Sequence, residues 1–285
     1  MKYIGLHVDG FPEVSRAPRE AAAIGARAFA LNLTDPSRWK SPAIPASEAE
    51  AFSAECALAG FTAAQILPHA GFVINAASPD ARKLKLSRLA LADEMSRAAL
   101  LGLGMLNFHP GAHLNALPVE DALARVAETI NITLAETPTE VSLIIENTAG
   151  QGTSLGRNLH EIATILSAVS DSARVGVCID SAHAFAAGYD LATDEGYDAF
   201  WQEFDREIGR DRLRGMHIND SLKACGSRVD RHAPIGRGLI GRHFFERLMA
   251  DSRTDGIPLI LETPDPALWT EEVVALQQMA LKENI

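Results

Sequence analysis

The sequence predicts a (β/α)8 barrel, and three observations carry that expectation. Eight short apolar runs, rich in β-branched residues, alternate with longer amphipathic segments. No Gly-rich dinucleotide fingerprint follows the first run, and no linker divides the chain. Alternation of this kind is what parallel strands covered by helices require. The two absences count against a doubly wound open sheet, the alternative architecture. They favour one barrel domain over residues 1–285.

The runs are KYIGLHV (2–8), AFALNL (28–33), AQILPHA (64–70), MLNFHP (105–110), VSLIIENT (141–148), VGVCIDSAH (175–183), LRGMHIND (213–220) and PLILET (258–263). Each is nearly continuous in apolar character, as a strand buried on both faces should be. Residues 79–102 repeat apolar positions at three- and four-residue spacing and close on Gly102, the pattern of a helix with glycine after its end. Residues 118–137, with Pro118 near the start, and 269–284 read as further helices. The longest irregular region, about 219–240, follows the seventh run and is rich in glycine (Gly226, Gly236, Gly238 and, just beyond, Gly241). Long loops inside compact domains tend to be functional.

With 47% hydrophobic and 22% charged residues in a chain of 285, the composition is that of a soluble globular protein. The start, MKYIGLHVDG, lacks the apolar core of a secretion signal. No apolar run reaches the ~18 residues that cross a bilayer. A cytoplasmic monomer with no membrane partner is therefore expected. Cys56, Cys178 and Cys225 are far apart and odd in number, which argues against a disulfide framework or cysteine-based zinc finger and for buried, inert thiols. The net charge of −11 argues against a non-specific nucleic-acid coat. Carboxylates that hold divalent cations would reverse that sign locally.

A barrel collects its chemistry at the C-terminal ends of its strands. The run ends and the loops after them carry His69, His109, Glu146, Asp180, His183, His217, Asp230, His232 and Glu262. Any one histidine among them reads most simply as a satisfied or exposed side chain. Nine such residues at six consecutive run ends are different. Crowded carboxylates raise one another's pKa, and bound cations remove that cost. Imidazole and carboxylate without thiolate suit Zn²⁺, and also Mn²⁺ or Fe²⁺. An all-oxygen Mg²⁺ or Ca²⁺ site would not need five imidazoles. Nine ligands are too many for one ion and fit three if a carboxylate bridges. Three divalent ions would leave the mouth cationic and suited to an anion such as a phosphate ester. Grouped ions also lower the pKa of water and stabilise a leaving oxygen. In GSRVDRHAP (226–234), Asp230 and His232 can face one ion if the loop is extended, while Arg228 and Arg231 are candidates for phosphate contact.

The motifs ILPH (66–69), NFHPG (107–111), IIENTAGQG (144–152), GVCIDSAHAFAAGYD (176–190), MHIND (216–220), GSRVDRH (226–232) and LILET (259–263) closely resemble endonuclease IV, the three-zinc apurinic/apyrimidinic endonuclease family, over essentially the whole chain. That resemblance implies a (β/α)8 barrel that cleaves double-stranded DNA 5′ to abasic sites and leaves a 3′-hydroxyl in base-excision repair. It further implies three Zn²⁺. His69 and His109 would hold the first, with Glu146 bridging to a second completed by Asp180, His217 and Glu262; His183, Asp230 and His232 would hold the third. Glu262, with Glu146, would be catalytic, Glu262 orienting or deprotonating the attacking group.

Three loops depart from the family. The loop after the first run is DGFPEV (9–14), with a bulky Phe11 and an acidic Glu13 where the family is small and Gly-rich. DPSRW (35–39) stands where the family reads N-Q-R-Q-W, so Ser37 replaces an arginine that enters the duplex, with Arg38 and Trp39 beside it. HAGFVIN (69–75) has Phe72 where the family usually has tyrosine, and phenylalanine can still wedge between bases. Arg38, Trp39, Phe72, Arg228 and Arg231 are thus the candidate DNA contacts, although Trp39 equally reads as a loop pin. All departures lie in DNA-reading loops and none among the ligands.

Several residues read more plainly. His7 is a packed barrel histidine or a neighbour of the ligands, and His113 a neighbour or surface residue. Lys83, Lys85 and Arg88 look like a solvated helix face, and Met95, Met105 and Met249 like core. Two other functions compete. A sugar or sugar-phosphate isomerase on the same barrel would use metals and usually a lysine acid/base at a strand end, and only Lys223, in a loop, comes near. A non-catalytic damage-binding protein would not need Glu146 and Glu262 intact.

Overall fold

The computed structural model describes residues 1–282. Its strands are β1 (Tyr3–His7), β2 (Ala28–Ala30), β3 (Met105–Phe108), β4 (Ser142–Glu146), β5 (Val175–Asp180), β6 (Leu213–His217), β7 (Asp220–Ser221), β8 (His232–Ala233) and β9 (Pro258–Leu261). Seven of them form one sheet in the order β2-β1-β9-β6-β5-β4-β3, paired in parallel throughout. The open edges of β2 and β3 are joined by residues 66–69 through the bridges Phe29–Ile66, Asn32–His69 and His69–Asn107. The sheet is therefore closed into a barrel of eight staves.

The third run is where the expectation of a regular strand fails. Pro68 has no N–H, so the stave cannot carry an unbroken ladder. The bonds on either side of it survive, with Leu67 N–H on Phe29 O (3.0 Å), His69 N–H on Leu31 O (2.9 Å) and Asn107 N–H on Pro68 O (2.8 Å). The region 219–240 is also more regular than expected, because β7 and β8 pair as an antiparallel ribbon.

The helices are α1 (Arg16–Ala23), α2 (Ala46–Ala59), α3 (Ala81–Leu100), α4 (Val119–Glu136), α5 (Leu159–Ser167), α6 (Ser181–Ala187), α7 (Asp194–Glu207), α8 (Arg242–Ala250) and α9 (Trp269–Lys282). The expected helix 79–102 is α3, capped by the Asp80 carboxylate on Lys83 N–H (2.9 Å) and closed by Gly102 at φ 70°. Positions 283–284 of the last expected helix lie outside the described residues. Lys83 and Lys85 are exposed as expected, but Arg88 reaches α4 and bonds Glu128 (2.6 Å) and Thr129 (3.1 Å). Met95 and Met249 are core, and Met105 is half-buried. Cys56 and Cys178 are buried, whereas Cys225 is exposed in the loop after β7, contrary to the expectation of three buried thiols.

The apolar runs are explained by two buried faces. Ala28, Ala30, Leu67, Ile144, Cys178 and Ile260 plug the barrel interior. Their alternates, among them Leu106, Leu143, Ile145, Val177, Ile179, Leu259 and Leu261, pack outward under the helices. Each such buried side chain contributes about 1.5–3 kcal/mol. Strand side chains alternate with period two. Two residues beyond each plug residue therefore point inward again, one layer higher: Leu67 leads to His69, Ile144 to Glu146, Cys178 to Asp180 and Ile260 to Glu262. The hydrophobic pattern sets the position of the polar layer.

Candidate metal centre

At that layer Glu146 is fully buried and takes the central place. One carboxylate oxygen lies 3.2 Å from His69 Nε2. The other lies 3.2 Å from His109 Nε2, 3.3 Å from His183 Nδ1 and 3.1 Å from His217 Nδ1. Glu262 approaches from β9, with one oxygen 3.2 Å from His217 Nδ1 and the other 3.0 Å from His7 Nδ1. His7, one of the plainer histidines, is thus a direct neighbour of Glu262.

Among the described residues, three groupings of imidazole and carboxylate alone have donor atoms close enough to surround a cation. They are His69, His109 and Glu146; Glu146, Asp180, His217 and Glu262; and Asp180, His183 and His232. Asp230 adjoins the third, 3.2 Å from both His183 Nε2 and His232 Nε2. All nine residues expected at the run ends thus converge on one mouth, and Glu146 and Asp180 are each shared between groups.

Each element delivers its ligand candidate by a local device. His183 is not at a strand end, as the sixth run had implied. It sits in the first turn of α6, where Asp180 serves as cap and accepts the His183 N–H (2.7 Å). The turn lets two neighbouring side chains point the same way. Gly111 follows His109 at φ 98°, and a Cβ there would lie 2.2 Å from Asn75 Oδ1, so only glycine lets the NFHPG turn form. GSRVDRH is held from both sides. Gly226 and Arg228 N–H bond to the α6 carbonyls of Phe185 (3.0 Å) and Ala186 (2.9 Å), and Asp230 N–H bonds to Gln151 Oε1 (3.0 Å). Arg228 takes a left-handed φ of 53° to make that turn. Asp220, fully buried, anchors the base of the same excursion by accepting N–H groups of Ser221 (2.8 Å), Gly238 (2.9 Å) and Ile240 (3.0 Å).

The electrostatics are those of a cation site. Burial disfavours ionisation of Glu146, yet His217 and His109 beside it hold its carboxyl well below the usual range. Glu262 behaves alike, with burial outweighed by His217 and His7. Burial would lower the pKa of His183, His217 and His232; the carboxylates reverse this, and His232, beside Asp180 and Asp230, is raised to about 9. Asp230 is lowered by His183 and His232 against the opposing effect of burial. Three imidazole nitrogens, His109 Nε2, His217 Nε2 and His232 Nε2, are buried without a hydrogen-bond partner. Buried polar atoms without partners are rare. Lone pairs on imidazoles facing carboxylates at 3.2 Å fit divalent cations shared among them. Outer partners complete the pattern: His69 Nδ1 meets Ala70 O (2.7 Å), His183 Nδ1 meets Asn147 O (3.0 Å) and His232 Nδ1 meets Glu262 O (3.1 Å), each leaving Nε2 for the mouth.

Three asparagines were missed in reading the sequence. Asn107 donates to Glu146. Asn147 Oδ1 accepts the Asp180 N–H (2.7 Å). Asn219 Nδ2 donates to Asp180 Oδ2 (2.7 Å), and its Oδ1 accepts the Glu262 N–H (2.7 Å). The signal was present, since each asparagine sits within or at the end of a largely apolar run, where a buried amide requires a partner. Cys178 Sγ also lies within 4.8 Å of Glu146 and His217. Burial pushes its thiol well above the ordinary range, so it stays protonated.

The candidate DNA contacts are less gathered. Phe72 is 72% exposed, its ring 6.3 Å from that of His69. Trp39 is 38% exposed. Arg38 is paired with Asp35 (3.1 Å), and Ser37 is bonded through Oγ to the same carboxylate (2.6 Å). Arg228 and Arg231 lie on the loop that carries Asp230, Arg231 exposed and Arg228 largely so.

A closed parallel barrel with histidines and carboxylates ringed at its C-terminal mouth defines a class, the metal-site (β/α)8 enzymes. The chain belongs to the xylose isomerase-like TIM barrel family, whose profile matches residues 18–281. Among solved structures it is similar to endonuclease IV from Thermus thermophilus, at 30% identity and TM-score 0.86, with 99% of this chain and 100% of that chain covered. Two epimerases share the fold. D-psicose 3-epimerase from Clostridium cellulolyticum matches at 15% identity and TM-score 0.72, covering 99% of this chain and 99% of that one. The 3-keto-D-glucoside 4-epimerase from E. coli matches at 15% identity and TM-score 0.68, covering 98% of this chain and 100% of that one. The likeness to endonuclease IV read from the motifs is thus borne out over the full chain. Among the described residues, no helix is long and apolar enough to cross a membrane.

Proposed function

We propose that the protein is a metal-dependent DNA-repair phosphodiesterase that cleaves the backbone 5′ to abasic sites and leaves a 3′-hydroxyl. The observation that carries this reading is the convergence of nine ligand-type side chains into three adjoining groups around Glu146. His69, His109 and Glu146 would hold one ion. Glu146, Asp180, His217 and Glu262 would hold a second, and His183, Asp230 and His232 a third. Zn²⁺ suits this donor set, and Mn²⁺ or Fe²⁺ fit some positions.

When bound, such ions supply Lewis-acid stabilisation of phosphoryl oxygens and water of lowered pKa. The chain's own residues do the rest. Glu262 is ionised, held between His217 and His7, and 22% exposed toward the mouth. It is placed to orient attacking water and take its proton. Glu146 keeps four imidazoles in register. Phe72 and Trp39 offer apolar faces to a disrupted base stack, and Arg228 and Arg231 offer charge to flanking phosphates. A sugar isomerase reading has less support, because Lys223 is exposed and, among the described residues, no lysine stands at the mouth end of a strand.

The test is incision of a duplex oligonucleotide carrying one abasic analogue, before and after stripping with a strong chelator. Incision that is lost on stripping and restored by zinc is expected. No incision by the metal-replete protein would overturn the reading.

A further inference from the structure

Helix α3 carries two buried ionisable side chains that the metal centre does not use, Glu94 (2% exposed) and Arg97 (6%). Both face the loops that hold Trp39 and Phe72. Glu94 Oε1 accepts two donors from different segments, Thr34 Oγ1 (3.1 Å) and Gly71 N–H (3.1 Å). Thr34 opens the segment bearing Ser37, Arg38 and Trp39; Gly71 immediately precedes Phe72. Arg97 grips the far end of the first segment, with Nη1 on Pro42 O (2.7 Å) and Nη2 on Ser41 O (3.0 Å). Asp93 fixes the guanidinium from below (2.7 Å).

The two loops also interlock. A Cβ on Gly71 would come within 3.1 Å of Pro36 O and 3.3 Å of Glu94 Oε1, so a side chain there would push the two segments apart by a few tenths of an ångström. Ser87, two turns before Glu94 on the same helix, bonds Asn75 N–H (3.0 Å) and ties down the end of the Phe72 loop. One rigid helix therefore holds both ends of the first loop and both ends of the second. The exposed aromatics are carried on segments whose roots are fully bonded.

We infer that Glu94 and Arg97 form a positioning platform that sets the Trp39 and Phe72 loops as one pre-organised clamp for a duplex distorted at a missing base. The inference rests on the proposed DNA function. The physical reason is the cost of ordering. Loops held in their bound arrangement before encounter lose less conformational freedom on binding. Two independently mobile loops would each bear that loss, and discrimination between damaged and intact duplex would fall. Glu94 is a positioning residue, since it acts through the loops and not on the reacting atoms.

The experiment uses the metal-loaded protein and its Glu94→Ala, Glu94→Gln and Thr34→Val variants. Steady-state incision of an abasic-analogue duplex is measured, together with amide hydrogen exchange in residues 34–42 and 70–75. For Glu94→Ala, KM is expected to rise roughly tenfold with kcat unchanged, and exchange to rise in both loops together. Thr34→Val deletes one donor in near-isosteric form and should move KM the same way by less, which covers the case of Glu94→Ala failing to fold. Glu94→Gln keeps the Oε1 acceptor and should restore both readouts. Trp39→Ala and Phe72→Ala should be non-additive in binding in the native background and additive alongside Glu94→Ala. An unchanged KM in folded variants, or faster exchange confined to one loop, overturns the platform while leaving the function standing. A wild-type protein that incises no abasic duplex overturns the function itself, and the clamp's role with it.

Discussion

Glu94→Gln offers a quantitative check on the electrostatics beneath the loops that carry Trp39 and Phe72. The side chain is nearly fully buried; one oxygen takes two hydrogen bonds and the other takes none. Burial dominates, outweighing the Gly71 and Thr34 bonds, and raises its pKa from the ordinary 4.5 to about 7. Above pH 4.5 the unfolded chain releases this proton while the folded chain keeps it. Stability from this group is therefore complete below 4.5 and is lost as pH rises toward 7. At about 1.4 kcal/mol per tenfold change in proton affinity, the full loss is on the order of 3 kcal/mol. Roughly 2 kcal/mol of it should develop between about pH 5.5 and 8. Glutamine mimics the protonated acid and cannot ionise. The stability of Glu94→Gln relative to wild type should thus grow by about 2 kcal/mol across that interval, or about 3 °C in thermal midpoint. Melting both proteins in the same buffers at the same metal concentration cancels the pH dependence of metal binding. A difference that stays flat would mean that Glu94 is ionised throughout, and the reasoning from its burial would be refuted.

Three further outcomes are expected. Glu262→Gln should lower turnover by at least about 100-fold, a typical range for loss of a positioned base, while duplex binding stays measurable by anisotropy; undiminished turnover would remove Glu262 from the chemistry. Zinc added to stripped protein near pH 7.5 should release protons into weak buffer, because carboxylate neighbours raise His183, His217 and His232, the last to about 9. Release from His232 should fade above that value, and an absence of release at pH 7.5 would contradict the protonated cluster. Ser37→Arg should tighten binding to abasic duplex by several-fold if the 35–39 loop enters DNA; unchanged affinity by titration would show that the loop serves another purpose.

Much was legible in the chain before any coordinates. Runs nearly continuous in apolar character announced strands covered on both faces, and their number announced the barrel. The residues at the C-terminal ends of those runs announced the site, because a barrel collects its chemistry there. His69, Glu146, Asp180 and Glu262 are read in this way, and the plug residues two positions before them, seen in the structure, give the reason they point inward. The ligand chemistry also follows from residue type alone, since imidazole and carboxylate without thiolate select a narrow set of ions.

Other features depended on contacts between segments distant in the chain. That Pro68 makes the third stave irregular is local chemistry, but that its neighbours still bond to Phe29, Leu31 and Asn107 is a tertiary fact. His183 joins its group because α6 begins at Asp180, and Asp230 joins because the loop before it is clamped to α6 and to Gln151. The same holds for the loops that carry Trp39 and Phe72. Their sequence shows what they lack relative to the family, while only packing brings Thr34 and Gly71 to one carboxylate on α3. Periodicity is a property of neighbouring residues and can be read along the chain. A shared acceptor for two distant segments has no periodicity, and exists only once burial and hydrogen bonding have been satisfied together.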